Sequence, residues 1–135
     1  MKTALWMTFC AACIYLAAWS AWGQSIDPAA TEAAVCAPGY AAAHRPPLAW
    51  SEDAKRRMLL PGHRMAEFQL DHVVPLELAG APRDPKNLQL QPWPEARLKD
   101  RAENRLHALV CSGRMTLRAA QGVFATPDGW RGYAR

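Results

Sequence analysis

The residues best suited to chemistry in this chain are an acid, an imidazole and an amide in its central third. Asp71 and His72 are adjacent, and Asn87 follows after a loop. A carboxylate can hold a hard divalent cation against a phosphate, and a neutral imidazole can take a proton from water. An amide can orient the imidazole or the loop by hydrogen bonding without changing the local charge. These residue types together favour phosphodiester hydrolysis.

Two short strands must position these residues. Between Phe68 and Val74 the residues alternate with the two-residue period of a strand. Pro75 has no backbone N–H to donate to a neighbouring strand, so this strand is predicted to end at the acid-histidine pair. Leu88 and Leu90 repeat the same period after a loop rich in glycine and proline. The sequence therefore predicts two strands joined by a loop.

A long helix is predicted directly after the second strand. Two prolines introduce it, it runs from Glu95 to Ser112, and Gly113 ends it. Neighbouring strand residues project to opposite sides, so Asp71 and His72 are expected to diverge. One of them would then bind an ion while the other reacts.

At these residues the chain resembles the HNH endonuclease family, which has the ββα-metal fold. The resemblance rests on Asp71-His72-Val-Val-Pro, Gly80 and Asn87-Leu88. It implies that Asp71 is a metal ligand, that His72 is the general base and that Asn87 orients the site. Further stretches resemble small exported members of the family, namely those that begin at Cys36, Arg45 and Lys99.

The chain departs from the family pattern at the third metal ligand. The position that usually carries His or Asn is Ala96, which cannot bind a metal. On a helix, Asp100, Glu103 and His107 fall on the same face as Ala96, and Asp100 is the best substitute because it is one turn away. The alternative is that this face is solvated and held by ordinary pairs four residues apart, such as Lys99 with Glu103.

The N-terminus has the pattern of a secretory signal. Lys2 precedes an uncharged apolar run from Ala4 to Trp22, and small residues follow where a signal peptidase cleaves. We therefore expect a signal peptide over residues 1–23 and a nuclease domain over 24–135, with its core motif at about 66–112. The mature protein would be periplasmic or secreted, without stable membrane association, although a membrane anchor is the alternative.

Two cysteines, Cys36 and Cys111, remain after cleavage, and an even pair in an exported chain predicts a disulfide. Closing a loop of about 75 residues would stabilise the fold by roughly 4 kcal/mol in the chain-entropy model. The bridge would tie the N-terminal arm to the long helix.

The charge balance gives weak support for a polyanionic partner. Removal of residues 1–23 removes only Lys2 among the charged side chains, so the net charge falls from +4 to +3. Arg83 and Lys86, in the loop beside the predicted site, are candidates for phosphate binding. They could equally serve only to solubilise the loop.

The flanking segments are expected to complete a small core. Residues 24–35 have no period and predict a flexible lead, whereas Ser51 is expected to cap a short helix. Thr116 predicts a last helix to about Phe124, after which Trp130 and Tyr133 would close the core. The whole is expected to be a small α+β single domain, a ββα-metal hairpin-helix core with flanking helices.

The function expected from the sequence is that of an exported, monomeric endonuclease that cuts DNA with little sequence specificity and uses one divalent ion. RNA is not excluded as a substrate. Oxygen ligands favour Mg²⁺ or Mn²⁺, whereas a histidine such as His107 in the shell would favour Zn²⁺ or Ni²⁺. The alternatives are a non-catalytic nucleic-acid-binding protein on a degenerate HNH scaffold, and a structural envelope domain in which Asp71 and His72 have only packing roles.

Overall fold

The computed structural model describes residues 25–135, which fold as one small α+β domain. The predicted fold class is therefore confirmed. Short 3₁₀ turns join the main elements. In chain order these are α1 (Glu32–Val35), α2 (Tyr40–His44), α3 (Leu48–Met58), β1 (Phe68–His72), β2 (Leu88–Pro92), α4 (Trp93–Cys111) and α5 (Leu117–Val123).

The two strands form the antiparallel pair that the alternating pattern predicted. Phe68 pairs with Pro92 and His72 pairs with Leu88, so the end of β1 meets the start of β2. The order strand, loop, strand, helix is confirmed. Because β1 ends at His72, the acid-histidine pair lies at the end of the hairpin that faces the loop.

Helix α4 is the element on which the domain packs. It starts two residues before the predicted Glu95, because Pro92 and Pro94 fix the backbone torsions of its first turn. Its buried face includes Ala102, Leu106 and Val110. This face packs on Val35, Val74, Leu78, Leu117 and Phe124 in one continuous core.

The C-terminal segment closes this core as predicted. The Thr116 side chain accepts a hydrogen bond from the Ala119 N–H at 3.1 Å and so caps α5. Phe124 and Trp130 are buried, and Tyr133 packs against them at the edge of the core.

The predicted disulfide between Cys36 and Cys111 is confirmed. The two Cα atoms lie 5.5 Å apart, within the ordinary range for a bridge. Cys36 caps the C-terminus of α1 and Cys111 is the last residue of α4. The bridge therefore ties the N-terminal arm to the end of the central helix.

The prediction of a flexible lead over residues 24–35 is wrong for the part that the structure describes. Thr31 caps α1, and Val35 is buried in the core. Glu32 accepts a hydrogen bond from the Leu117 N–H at 2.9 Å, and Ile26 forms a β-bridge with Gly80. Tertiary contacts, rather than local periodicity, order this segment.

The predicted start of the helix at Ser51 is also wrong. Helix α3 begins at Leu48, since Pro47 has an extended conformation and acts as its N-cap. Ser51 lies one turn inside, where its hydroxyl donates to the Pro47 carbonyl at 3.3 Å. A serine in the first turns of a helix can bond to a carbonyl four residues back as readily as it can cap.

The predicted signal peptide, residues 1–23, lies outside the described residues. Among residues 25–135, none of the helices combines the length and apolar character needed to cross a membrane.

Candidate functional site

A cavity of about 460 Å³ opens where β1 ends, between the loop after it, α4 and the segment that precedes α3. Asp71 and His72 both line it, and so do the carboxylates of Glu77, Asp100 and Glu103. Both residues are still paired in the ladder, Asp71 with Gln89 and His72 with Leu88, so the expectation that their side chains diverge stays a prediction although both residues line one cavity.

Asp71 is held by two bonds on one of its oxygens. Oδ2 accepts from the Gln89 side chain at 3.0 Å and from the Lys99 ammonium at 2.8 Å. Gln89 is the cross-strand partner of Asp71 in the hairpin. Because both bonds use Oδ2, Oδ1 is the oxygen left to bind a ligand.

Lys99 is a member of the site that the sequence did not reveal. Its residue is only 1% exposed, and its ammonium donates to Asp71, to the His72 carbonyl at 2.7 Å and to Glu103. Burial alone would lower the Lys99 pKa, but the charges of Glu103 and Asp71 outweigh this and raise it. The side chain is therefore a buried cation that ties α4 to both residues at the end of β1.

The position of Lys99 on its helix could have indicated that the side chain is buried. The pair with Glu103 forms as the sequence suggested, but it is buried rather than solvated. Lys99 falls on the face of α4 that carries Ala96, Ala102 and Leu106, all buried. A lysine on an otherwise apolar face was the available sign that it is buried.

His72 has one ring nitrogen bonded and one free for chemistry. Nε2 lies 3.0 Å from the Pro82 carbonyl, which can only accept, so Nε2 carries the proton and Nδ1 carries the lone pair. Burial lowers the His72 pKa, and the positive charges of Lys99 and Arg45 act in the same direction. The imidazole is therefore neutral at pH 7, as a proton acceptor must be.

The sequence left two roles open for Asn87, namely to orient the imidazole of His72 or to fix the loop between the strands. The hydrogen bonds of Asn87 all go to the loop. Asn87 is fully buried, accepts from the Val74 N–H at 2.8 Å and donates to the carbonyls of Val74 and Ala81, both at 3.0 Å. Gly80 permits this close approach, because a Cβ at that position would lie 1.8 Å from the Val74 oxygen and 2.8 Å from the Asn87 amide. Asn87 and Gly80 therefore close the loop that starts at the acid-histidine pair.

The remaining carboxylates of the cavity repel one another. Burial raises the pKa of Asp100 and of Glu77, and the charge of Asp71 raises that of Asp100 further. Burial also raises the pKa of Glu103 to about 7, although Lys99 opposes the shift. Oε1 of Glu77 is buried and has no hydrogen-bond partner among the described residues. The cavity thus contains more negative charge than its own side chains neutralise.

The chemistry of these donors suits a hard divalent cation, although among residues 25–135 their ligand atoms do not form a group of three within 4.8 Å of one another. The available atoms are carboxylate oxygens of Asp71, Asp100 and Glu77, which are the ligands that Mg²⁺ and Mn²⁺ favour. An ion would also relieve the repulsion that raises the pKa of Asp100. Ala96 is buried beneath this region and contributes no ligand.

His107 lies elsewhere, beside the disulfide, and within residues 25–135 it does not line this cavity. Its Nε2 is 3.0 Å from the Val35 carbonyl and 3.5 Å from Sγ of Cys111. The ligand atoms of Cys36, His107 and Cys111 lie within 4.8 Å of one another, so this group could hold a metal ion. Only thiolates would serve, however, and the disulfide removes them.

The two loop cations predicted to bind phosphate lie outside the cavity lining given by the described residues. Arg83 follows Pro82, the residue that holds His72, and its guanidinium lies 5.6 Å from the centre of the Trp50 ring. Lys86 belongs to the turn before β2, whose backbone is capped by Asp84. The cation that does line the cavity is Arg45, which the sequence analysis did not select as a site residue.

Comparison with known proteins does not assign a function to this site. No family model matches the chain, no curated protein matches it, and no solved structure matches it. The residues of the cavity are therefore the basis for the functional conclusion.

Proposed function

We propose that the protein is an exported, divalent-metal-dependent endonuclease of the HNH type that hydrolyses phosphodiester bonds of DNA. The observation that supports this most directly is the shared cavity of Asp71 and His72, which Glu77, Asp100 and Glu103 also line. The order β1, loop, β2, α4 agrees with the resemblance stated for the sequence. Export is supported by the disulfide and by the leader pattern of the sequence.

The ion would be held by Asp71 and Asp100, with Glu77 as an additional donor. When bound, a divalent ion supplies Lewis-acid stabilisation of the charge on the phosphate and on the leaving oxygen. Mg²⁺ and Mn²⁺ fit the oxygen donors better than Zn²⁺ or Ni²⁺, because the nitrogen of His107 lies at the disulfide instead.

His72 would act as the general base. Its Nε2 proton is committed to Pro82, so Nδ1 is the atom that takes a proton from the attacking water. Lys99 holds the backbone of His72 and the carboxylate of Asp71 at fixed positions. Asn87 contributes by fixing the loop from which Pro82 projects.

The substrate contacts would be made mainly to phosphate. Arg45 at the cavity, and Arg83 and Lys86 in the loop, supply positive charge without a helix placed to read bases. Little sequence specificity is therefore expected. The protein would act as a monomer, on DNA and without exclusion of RNA.

A second candidate function is a non-catalytic nucleic-acid-binding or structural envelope protein on a degenerate HNH scaffold. Two observations favour it: Ala96 removes the usual third ligand, and the Lys99 ammonium already neutralises part of the Asp71 charge. A lysine in this place could substitute for an ion structurally, with no catalysis.

Purified mature protein incubated with circular DNA tests these alternatives. Both supercoiled duplex and single-stranded circles should be used, in EDTA and in Mg²⁺, Mn²⁺, Zn²⁺ or Ni²⁺. Linear or nicked products that form with metal and not in EDTA are the expected result. Retarded migration without cutting would select the binding protein, and neither effect would select the structural domain.

The metal assignment predicts that Asp100→Asn lowers the affinity for Mn²⁺ by at least about 10-fold, since even outer-shell changes typically cost this much. Asparagine keeps the shape of the side chain and removes one negative charge from the cavity. His107→Gln tests the competing assignment, because the His107 ring lies beside Cys111 while its charge also acts on the pKa of Glu77. Calorimetric titration of Mn²⁺ measures both. Wild-type affinity in Asp100→Asn together with a loss in His107→Gln would place the ion at His107 instead.

A further inference from the structure

The outer wall of the cavity is apolar and exposed. Among residues 25–135, the large apolar side chains left exposed are Leu48 at 75%, Leu60 at 68% and Trp93 at 41%. Leu48 and Trp93 line the cavity that contains Asp71 and His72. Catalysis by a metal and a base does not by itself require exposed apolar side chains at this place.

This wall is held rigidly. The Trp93 indole N–H donates to the Ala66 carbonyl at 2.9 Å, which fixes the ring at the first residue of α4. Leu48 is the first residue of α3, directly after Pro46 and Pro47. An aromatic ring that is both fixed and exposed can stack on a ligand with little loss of conformational freedom.

A cation lies on the same side of the cavity. Arg45 lines it, immediately before the two prolines that lead to Leu48. Its positive charge lowers the pKa of His72 and opposes the rise in the pKa of Asp100, so it acts on both residues. A guanidinium beside an apolar wall suits a ligand that carries a phosphate next to a flat ring.

The size of the cavity suits one nucleotide. About 460 Å³ is within the ordinary range for small-molecule sites and is far too small for a segment of duplex. A base in a duplex would reach Trp93 only after leaving its stack and its pair, which costs free energy. A base of a strand that is already unpaired can stack on the aromatic side chain without this cost, so a single strand is favoured.

We propose that Arg45, Leu48 and Trp93 form a subsite for one unstacked nucleotide next to the reacting phosphate, and that the substrate is single-stranded nucleic acid. The inference rests on the proposed nuclease function and specifies its substrate class. Arg45 binds the phosphate, and Trp93 and Leu48 contact the base.

Fluorescence anisotropy with a labelled single-stranded oligonucleotide, and with the same sequence as a duplex, tests the subsite. The measurement is made in Mg²⁺ with His72→Ala protein so that the strands stay intact. Trp93→Ala is expected to weaken single-strand binding about 10-fold and to leave duplex binding unchanged. Arg45→Gln is also expected to weaken single-strand binding about 10-fold, because it removes the cation that binds the phosphate. Leu60→Ala and Arg118→Gln are the matched controls, since neither residue lines the cavity.

Equal affinity for the two forms would overturn the subsite, as would Trp93→Ala protein that binds like the Leu60→Ala control. Cleavage by wild-type protein separates this inference from the nuclease proposal. If duplex and single strand are cut equally, the nuclease stands and the subsite fails. If the single strand binds through Trp93 and nothing is cut, the subsite stands and the nuclease fails.

Discussion

Replacement of His72 by alanine is expected to slow DNA cleavage by roughly 10²- to 10⁴-fold, the usual effect of losing a general base. Metal affinity should stay at the wild-type level, because the Nε2 proton of His72 is committed to Pro82 and the proposed ligands are carboxylates. Activity in the wild type should fall on the acid side, at a pH below the ordinary imidazole pKa. Burial lowers the His72 pKa, so the base stays neutral to a lower pH.

Asp71→Ala is the comparison variant, because its metal affinity shows what the loss of a proposed ligand does. It should lose the ion itself, because it removes a ligand and leaves Lys99 without one of its partners. The measurement is a metal titration of each variant beside its cleavage rate at saturating metal. A His72→Ala protein that loses the ion as severely as Asp71→Ala would make His72 a ligand, and one that cleaves like wild type would refute the mechanism.

Lys99→Met is expected to reduce the free energy of unfolding by about 3–5 kcal/mol, the range found when one partner of a buried ion pair is removed. Methionine keeps the length of the side chain, so the loss arises mainly from charge. Asp71 and Glu103 would remain buried without the ammonium that both now bind. The same change removes the donor to the His72 carbonyl.

The loss should depend on pH in a definite direction. Without Lys99 the pKa of Glu103, already raised to about 7, rises further, because the charge that opposes the shift is gone. An acid with a raised folded-state pKa favours the folded state at low pH and loses this contribution as the pH rises. Urea unfolding should therefore show a larger loss at about pH 8 than at about pH 5.

Lys55→Met on α3 is the control for the effect of replacing a lysine as such. Its free energy of unfolding should remain within about 0.5 kcal/mol of the wild-type value. Equal stability of Lys99→Met and wild type at both pH values would show that the buried cation has no structural role.

The hairpin and the long helix could be predicted because their signals are local. Alternation around Leu70 and Leu90 and the prolines before α4 depend only on neighbours in the chain. The disulfide could be predicted because Cys36 and Cys111 are the only cysteines in residues 24–135. The sequence indicated that Asn87 would form hydrogen bonds that fix the imidazole or the loop, but it did not identify Val74 and Ala81 as the partners.

The burial of Lys99 and the place of Arg45 could not be predicted with equal ease, because both depend on tertiary packing. Glu95, Lys99 and Glu103 are four residues apart, and this spacing occurs both on solvent-exposed helices and on helices that pack against a hairpin. Arg45 precedes two prolines, so local reasoning assigns it only to a turn. The short α1 is ordered by Glu32, Val35 and the disulfide, contacts that cross the whole chain.

The side chains of Asn87 and His72 hold the loop between the strands through hydrogen bonds to its main-chain atoms. Asn87 uses its amide on the backbone of Val74 and Ala81, and His72 uses Nε2 on the backbone of Pro82. Because these hydrogen bonds go to backbone atoms, they do not depend on the side chains at the tip of the loop. The residues at the tip can therefore change while Asp71 and His72 keep their positions. Gly80 and Asp84 are exceptions, because a Cβ at Gly80 would clash and the Asp84 side chain caps the turn before β2, so variation in related chains should be scarce at both positions.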